Sequence, residues 1–439
     1  MSRVELPRLV LSDPEGKIFD HPRLRLAGLS GDRVDLPHPS ELVPLPGGSQ
    51  LFTMPGRIPM GWDEDEASFV LSEKVRVRGR NVNCTAVAAF LPPGYIRSLL
   101  PATQKLPGAP SLPLWAYTSV GWKGDQFWAT GFQIDPNPHW DPDYFQDDRL
   151  LTQKTLHSLR KDPQNRLLRQ LSRCALEYHC FAAKNVFFRR WECPLPTSPT
   201  CNADCIGCIS LQPSECCPAS QERIQFVPTV DEVLGIALPH LQEAEDAIVS
   251  FGQGCEGEPL MQWRLLEDSI RKMRARTDRG TINLNTNGSF PDRVKRLCDA
   301  GLDSIRVTLN SPRPDFFRRY HKPKRFTVEK IVDSLVEAKG KGLYTSINLL
   351  VFPGFTDREE EVEGLIKLIE KTRLDLVQMR NLNIDPDLYL KAMGRENGNG
   401  IGISKMMGVL RREFPSLQFG YFNRTKESFS TQIEPPLTS

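Results

Sequence analysis

From residue 185 onward the chain alternates short apolar runs with capped, amphipathic segments, and nothing else in the sequence constrains the fold as tightly. The runs at 185–191, 247–251, 281–285, 304–309, 345–352 and 374–379 read as six strands. Helical stretches lie between them. One is opened by the capping box Thr229-Val230-Asp231-Glu232; others span 260–276, 291–300 (ending at Gly301) and 327–339. Another is opened by Thr356-Asp357-Arg358-Glu359 and runs to 371. Strands that alternate with helices imply a parallel sheet joined by right-handed crossovers. The C-terminal ends of such strands share one rim, where loops gather reactive groups.

Upstream the composition differs. Half of the 36 prolines precede residue 150, and runs at 114–120 and 126–134 flank Gly121-Trp122-Lys123-Gly124-Asp125 as a hairpin. Residues 1–150 are therefore expected to form a β-rich accessory domain. Residues 151–184 carry Leu156, Leu159, Leu167, Leu168, Leu171 and Leu176 at roughly helical spacing, broken at Pro163, and read as a helical linker. The core is placed at 185–385. Residues 386–439 read as a helix/strand extension, 403–422, after a Gly/Asn-rich break at 397–400, with a flexible tail from Thr425.

Directly after the first strand stands Cys201-Asn202-Ala203-Asp204-Cys205-Ile206-Gly207-Cys208, a CxxxCxxC spacing with no fourth cysteine in step. Three thiolates hold three irons of a [4Fe–4S] cluster and leave one open, whereas an electron-transfer cluster normally uses four cysteines. Eleven cysteines and an N-terminus unlike a signal peptide fit a reducing compartment, so a cytoplasmic location is expected. No run of about eighteen apolar residues is present to span a membrane. The net charge of +2 gives no global argument for nucleic acid or a membrane surface.

Four other features fall at strand ends. They are Gly252-Gln253-Gly254-Cys255-Glu256-Gly257-Glu258-Pro259, Asn285-Thr286-Asn287-Gly288, Thr308-Leu309-Asn310-Ser311, and Asn348 ahead of Phe352-Pro353-Gly354. Glycines let backbone approach a ligand, and Asn and Thr side chains offer donors and acceptors. With these turns in order, residues 185–385 resemble the radical S-adenosylmethionine (SAM) superfamily. The resemblance implies an α/β fold, a partial (β/α)6 TIM-like barrel, and an oxygen-sensitive enzyme. Cys201, Cys205 and Cys208 would bind the [4Fe–4S] cluster, and SAM would chelate the open iron. One electron, from a reducing partner such as a flavodoxin or ferredoxin, would release methionine and a 5′-deoxyadenosyl radical that takes hydrogen from a substrate. In the Gly257-Glu258-Pro259 turn, Gly257 and Glu258 would receive the methionine amino group. Thr308 and Asn310 match a polar strand end that contacts SAM in relatives. Asn287, beside Thr286, and Asn348 would meet the ribose or methionine, and Val351 and Pro353 would flank adenine.

There is one departure. Relatives usually carry an aromatic residue before the third cysteine; here it is Gly207, and Phe251 or Phe352 are the replacements the sequence offers. Cys180, Cys193, Cys216, Cys217 and Cys255 raise the question of a second iron–sulfur cluster against plain burial. Cys255 is a candidate hydrogen donor or covalent partner, and Arg380 a candidate clamp for a substrate carboxylate. The basic, aromatic stretch 313–325 reads as a solvated loop in preference to an RNA surface. The sequence does not identify the substrate. A peptide or small molecule is favoured over RNA. The reading from another class is a cluster-binding electron carrier that does not cleave SAM.

Overall fold

The computed structural model describes residues 5–77, 79–212, 217, 219–394 and 400–433. At its centre is a parallel sheet whose strands run in sequence order: β1 (Arg190–Leu195), β2 (Glu245–Phe251), β3 (Thr281–Thr286), β4 (Ser304–Leu309), β5 (Tyr344–Val351), β6 (Leu376–Asn381) and β7 (Gln418–Gly420). Every neighbouring pair is parallel. Among the described residues β1 and β7 do not pair with each other, so the sheet is an open half-barrel. The extension read at 403–422 supplies its seventh strand.

The two faces of the sheet differ sharply. Ile282, Leu284, Ile305, Val307, Ile347 and Leu349 are wholly buried in one apolar cluster. They share it with Leu266 and Ile270 of α5 (Trp263–Arg274), Leu297 of α6 (Pro291–Ala300), Ile331 and Leu335 of α8 (Val328–Gly340) and Leu365 of α9 (Glu359–Thr372). The alternate residues, among them Asn283, Asn285, Arg306, Thr308, Asn348 and Gln378, form the inner face. Strands of parallel sheets are usually apolar on both faces. A polar inner face marks a barrel mouth left open for a ligand.

The first strand lies later than its apolar run suggests. Residues Phe181–Phe188 form the helix α3, closed by Arg189 at φ +55°. An apolar run this short does not by itself separate strand from buried helix. Before it come α1 (Asp148–Lys161) and α2 (Arg166–Leu176), separated around Pro163 as expected. The first capping box forms: Glu232 N donates to Thr229 Oγ1 (3.2 Å) and Thr229 N to Glu232 Oε2 (2.7 Å), opening α4 (Val230–Glu243). The second does not. Thr356 Oγ1 accepts from Phe352 N and Asp357 from Gly354 N and Gly402 N, so both side chains stitch the loop rather than cap α9. The tail read as flexible is ordered through residue 433. Lys426 N donates to Thr281 Oγ1 (2.7 Å) and Phe429 stacks on Tyr344 with ring centroids 4.3 Å apart. Residues 434–439 and most of the 397–400 break lie outside the described residues. No helix is long and apolar enough to cross a membrane among those described.

Strands between Arg8–Ser12 and Gln126–Gln133 form the expected antiparallel β-rich region. Its hairpin is tighter than expected. Val120–Lys123 pairs with Gln126–Gln133 through a two-residue turn in which Gly124 and Asp125 both have positive φ (+57° and +61°), the geometry that matches strand twist. Residues 114–119 fall out of strand register and touch the sheet mainly through the bridge between Thr118 and Ala89. This region docks on the barrel rim. Arg97 N donates to Asn381 Oδ1 (3.0 Å), Asn381 Nδ2 to Tyr95 O (2.9 Å), and Arg97 Nη2 to Leu382 O (2.9 Å). Gly31 N donates to Pro353 O (2.8 Å). At Gly354 (φ +78°) a Cβ would fall 1.9 Å from Gly31 N, so the contact requires glycine.

Inside α4, His240 is buried and donates Nε2–H to Trp191 O (2.7 Å), while Nδ1 has no partner. Desolvation lowers its pKa from 6.5 to about 4. Between those values the unfolded chain takes up a proton that the folded chain refuses. Stability therefore falls as pH drops through this window, by on the order of 3 kcal/mol. Denaturant unfolding at pH 7 and pH 4.5 should show this loss, and His240→Gln, which keeps a donor for Trp191 O, should reduce it. An unchanged slope in the variant would count against this assignment.

Candidate functional site

The cysteine loop leaves β1 and is welded to the turn after β2 by a single buried carboxylate. Glu256 Oε2 accepts from Thr197 N (2.8 Å) and Ser198 N (3.0 Å), and Oε1 from Gly252 N (2.6 Å). Burial pushes it up to about 7 against these donors. Gly257 N donates to Ser198 O (2.7 Å) and Glu258 N to Thr200 O (2.8 Å). A Cβ at Gly257 would sit 2.1 Å from Thr200 O, which explains the glycine.

Glu258 continues the brace. Its carboxylate accepts from Thr286 Oγ1, Asn287 N (2.7 Å) and Leu260 N (3.0 Å). Asn287 Nδ2 in turn donates to Asn202 Oδ1 (2.7 Å), within the cysteine loop. These side chains hold the ends of β2 and β3 and the cysteine loop in one rigid unit.

The loop is clamped from its other side by α7 (Pro314–His321), which occupies much of the stretch read as a solvated loop. Ile206 N donates to Tyr320 O (3.0 Å), Asp204 N to His321 O (3.1 Å), and Lys324 N to Asn202 O (2.7 Å). Phe316, Phe317, Tyr320 and His321 are buried. Arg318 pairs with Asp315, Arg319 reaches Met393 O, and Lys324 pairs with Asp204. These three basic residues are thus engaged with the protein itself, while Lys322 and Arg325 are exposed. The spacing Phe316, Phe317, Tyr320, His321 is the amphipathic signal that the charges obscured.

Cys201, Cys205, Cys208, Gly257, Glu258, Pro259, Thr286, Asn287, Thr308, Asn348 and Arg380 all line one cavity of about 400 Å³. Four expected residues, Asn310, Cys255, Val351 and Pro353, do not. Asn310 is fully buried and donates Nδ2 to Phe316 O (3.3 Å), bracing the start of α7. Cys255 turns away from the cavity, its Sγ 3.1 Å from Cys174 Sγ. Val351 also faces outward into the apolar core; the inward neighbours on β5 are Asn348 and Leu350. Phe251 and Phe352 do not fill the place left by Gly207. A Cβ there would lie 2.6 Å from Tyr320 Oη, so Tyr320 occupies it from α7.

Several cavity residues had no sequence signal. Phe90, Leu91 and Ala116 reach in from the N-terminal region as a roof, and Arg306, His321 and Tyr421 line the interior. Of the other cysteines, Cys216 lies outside the described residues. Cys180 is the N-cap of α3 near Cys174, Cys193 is sealed in the barrel core, and Cys217 packs beside the cluster containing Leu114 and Phe316. Cys180 thus lies close to the Cys174–Cys255 pair, whereas Cys193 and Cys217 pack in separate places.

The three loop thiols suit a polynuclear cluster better than a single ion. A tetrahedral zinc brings its sulfurs to about 3.8 Å of one another, and the three Sγ atoms do not all close to within 4.8 Å. Burial, followed by the nearby Glu258, pushes Cys201 up to about 11. Burial, Cys208 and Cys201 raise Cys205 well above the usual thiol range. Such thiols become thiolates together only beside a strong positive charge. His321 Nδ1 lies 3.2 Å from Cys205 Sγ, and Arg223 Nη2 lies 3.5 Å from Cys208 Sγ. Asn285 Nδ2 and Asn348 Oδ1 are buried without partners on the cavity wall. Thiols and orphaned polar atoms together fit a cluster with a polar ligand beside it.

The profile of the Radical SAM superfamily matches residues 195–369. A probable GTP 3′,8-cyclase from Methanosarcina mazei is 28% identical over 192 residues, 43% of this chain and 54% of its own length. A GTP 3′,8-cyclase from Helicobacter pylori is 26% identical over 44% of this chain and 55% of its own. The chain thus spans about half the length of these relatives. A radical SAM methyltransferase structure from Sphaerobacter thermophilus superposes with a TM-score of 0.40 at 14% identity, covering 53% of this chain and 66% of its own. The segment that carries the cysteine loop and the next four strands, β2 to β5, is the part of the chain that matches the Radical SAM superfamily.

Proposed function

We propose that the protein is a radical SAM enzyme. Cys201, Cys205 and Cys208 hold the [4Fe–4S] cluster, and SAM binds between that cluster and the ends of β2 to β5. The observation that carries this reading is the convergence of the three thiols and the SAM-facing turns on one roofed cavity. Cluster and SAM, when bound there, would supply one-electron reductive cleavage of the SAM sulfonium. The chain's own groups set the stage. Glu256 and Glu258 fix loop and turn through backbone amides. The Glu258 carboxylate is committed to those bonds, so backbone of the turn is what meets the ligand there. Asn285 and Asn348 offer a donor and an acceptor to SAM. N–H groups of His321 and Arg223 directed at ligand sulfurs tune the cluster potential. Phe90, Leu91 and Ala116 add apolar wall to the cavity from the N-terminal region.

A peptide or small molecule is the favoured substrate, because the net charge of +2 gives no global argument for nucleic acid. A flavodoxin or ferredoxin is the proposed electron donor. The test is anaerobic incubation of cluster-loaded protein with SAM and a strong reductant. 5′-Deoxyadenosine should form and should be absent with Cys201→Ala. Its absence from fully loaded wild-type protein would reject the enzyme reading in favour of a cluster carrier.

A further inference from the structure

The bracing of loop and turn leaves two cavity residues unexplained. Arg306 on β4 and Arg380 on β6 both line the cavity, several strands away from the one that carries the cysteine loop. Arg306 stands two residues before Thr308, hence on the same face and one layer deeper. Its residue is only 7% exposed. Nη1 donates to Gln378 Oε1 (2.9 Å), and Nε is buried with no partner. Arg380 Nε is likewise unpartnered, and its guanidinium lies 3.9 Å from the Tyr421 ring centroid.

No acid answers these charges directly. Neither arginine makes an ion pair among the described residues. Glu192 is the one carboxylate whose field reaches Arg306. It is already held by Ser250 Oγ (2.6 Å), Asn423 Nδ2 (2.6 Å) and Gln253 Nε2. Burial first, then the neighbouring Arg380, lowers the Arg306 pKa to about 9. Buried charges are ordinarily paired, because the desolvation of a lone ion is not otherwise recovered. Two neighbouring guanidiniums on a cavity wall, each bearing an orphaned Nε–H, describe an anion site. The arginine fork suits a carboxylate or phosphate bidentately, and stacking on Tyr421 fixes the plane of Arg380.

We propose that Arg306 and Arg380 clamp an anionic group of the substrate, a carboxylate or phosphate. This rests on reading the cavity as a radical SAM active site. The carboxylate of SAM has the same chemistry, and the test separates the two sources. Cluster-loaded wild type, Arg306→Met, Arg380→Met and Arg380→Lys are titrated with inorganic phosphate, pyrophosphate and succinate by calorimetry, and with SAM by equilibrium dialysis. Wild type should bind at least one of the three anions, and both methionine variants should weaken it about tenfold or more. Arg380→Lys should fall between, since it keeps charge but not the fork. SAM affinity should stay within about twofold throughout. If Arg306→Met does not fold, Arg306→Lys takes its place.

The clamp is overturned if wild type binds none of the three anions, or if the variants bind them as well as wild type does. A tenfold loss of SAM affinity in both methionine variants would also overturn it, by assigning the arginines to SAM. Loss of 5′-deoxyadenosine formation in wild type with intact anion binding would instead sink the radical reading and leave the anion site standing.

Discussion

Cys205→Ser protein, purified without oxygen, should retain less than a quarter of the iron of the wild type, which should carry about four irons per chain. The side chain sits between two apolar clusters, one around the barrel core and one around Phe316 and Tyr389. A serine there offers a poorer ligand to a soft metal centre. Cys201→Ala and Cys208→Ala should behave alike, whereas Cys84→Ala, between two strands of the N-terminal region, should keep its iron. Iron and sulfide analysis with electron paramagnetic resonance of the reduced protein reads the outcome. Full iron in any loop variant, or one zinc per chain in the wild type, contradicts the assignment.

Arg57→Met should destabilise the protein by about 3–5 kcal/mol. Arg57 Nη2 meets Asp385 Oδ2 at 2.9 Å, and both side chains are 1% exposed. Asp385 also accepts from Leu112 N (2.9 Å) and Asp387 N (3.0 Å), so the carboxylate joins the N-terminal region to the start of α10 (Pro386–Met393). Removing the arginine leaves a buried anion with amide donors alone. Asp385→Leu should cost less, because Arg57 Nη2 keeps Asp387 Oδ2 at 3.2 Å, and the double variant should lose less than the sum, because no unpaired buried charge remains. Denaturant unfolding of the four proteins measures the coupling. Additive losses would show that the pair is not the bond between the two regions. Limited proteolysis should cut the N-terminal region of Arg57→Met first.

What the sequence disclosed was local. Cysteine spacing, glycine turns and strand-end asparagines are written within a few residues of one another, and the three loop cysteines, Gly257, Asn285, Asn287 and Asn348 line one cavity while Asn310 does not. Parity along a strand was legible too: Asn348 implies Leu350 rather than Val351 on the inner face. What stayed hidden depends on distant partners. Nothing near Leu91 announces that Arg97 will bind Asn381. The basic residues of α7 masked an apolar stripe whose tyrosine fills the space over Gly207. Arg306 was overlooked because a charge inside an apolar run resembles noise until the barrel wall is seen.

The cavity draws its lining from Phe90, from the cysteine loop and from Tyr421 on the last strand's heels. At roughly 5–20 residues per second, a ribosome needs on the order of 10–40 s to travel from Cys208 to Tyr421. Throughout that interval the nascent thiols stand without their finished enclosure. Metallocluster delivery to this polypeptide is consequently an event of the completed chain, and a truncated translation product should be handled by the cell as an exposed, oxidisable cysteine peptide.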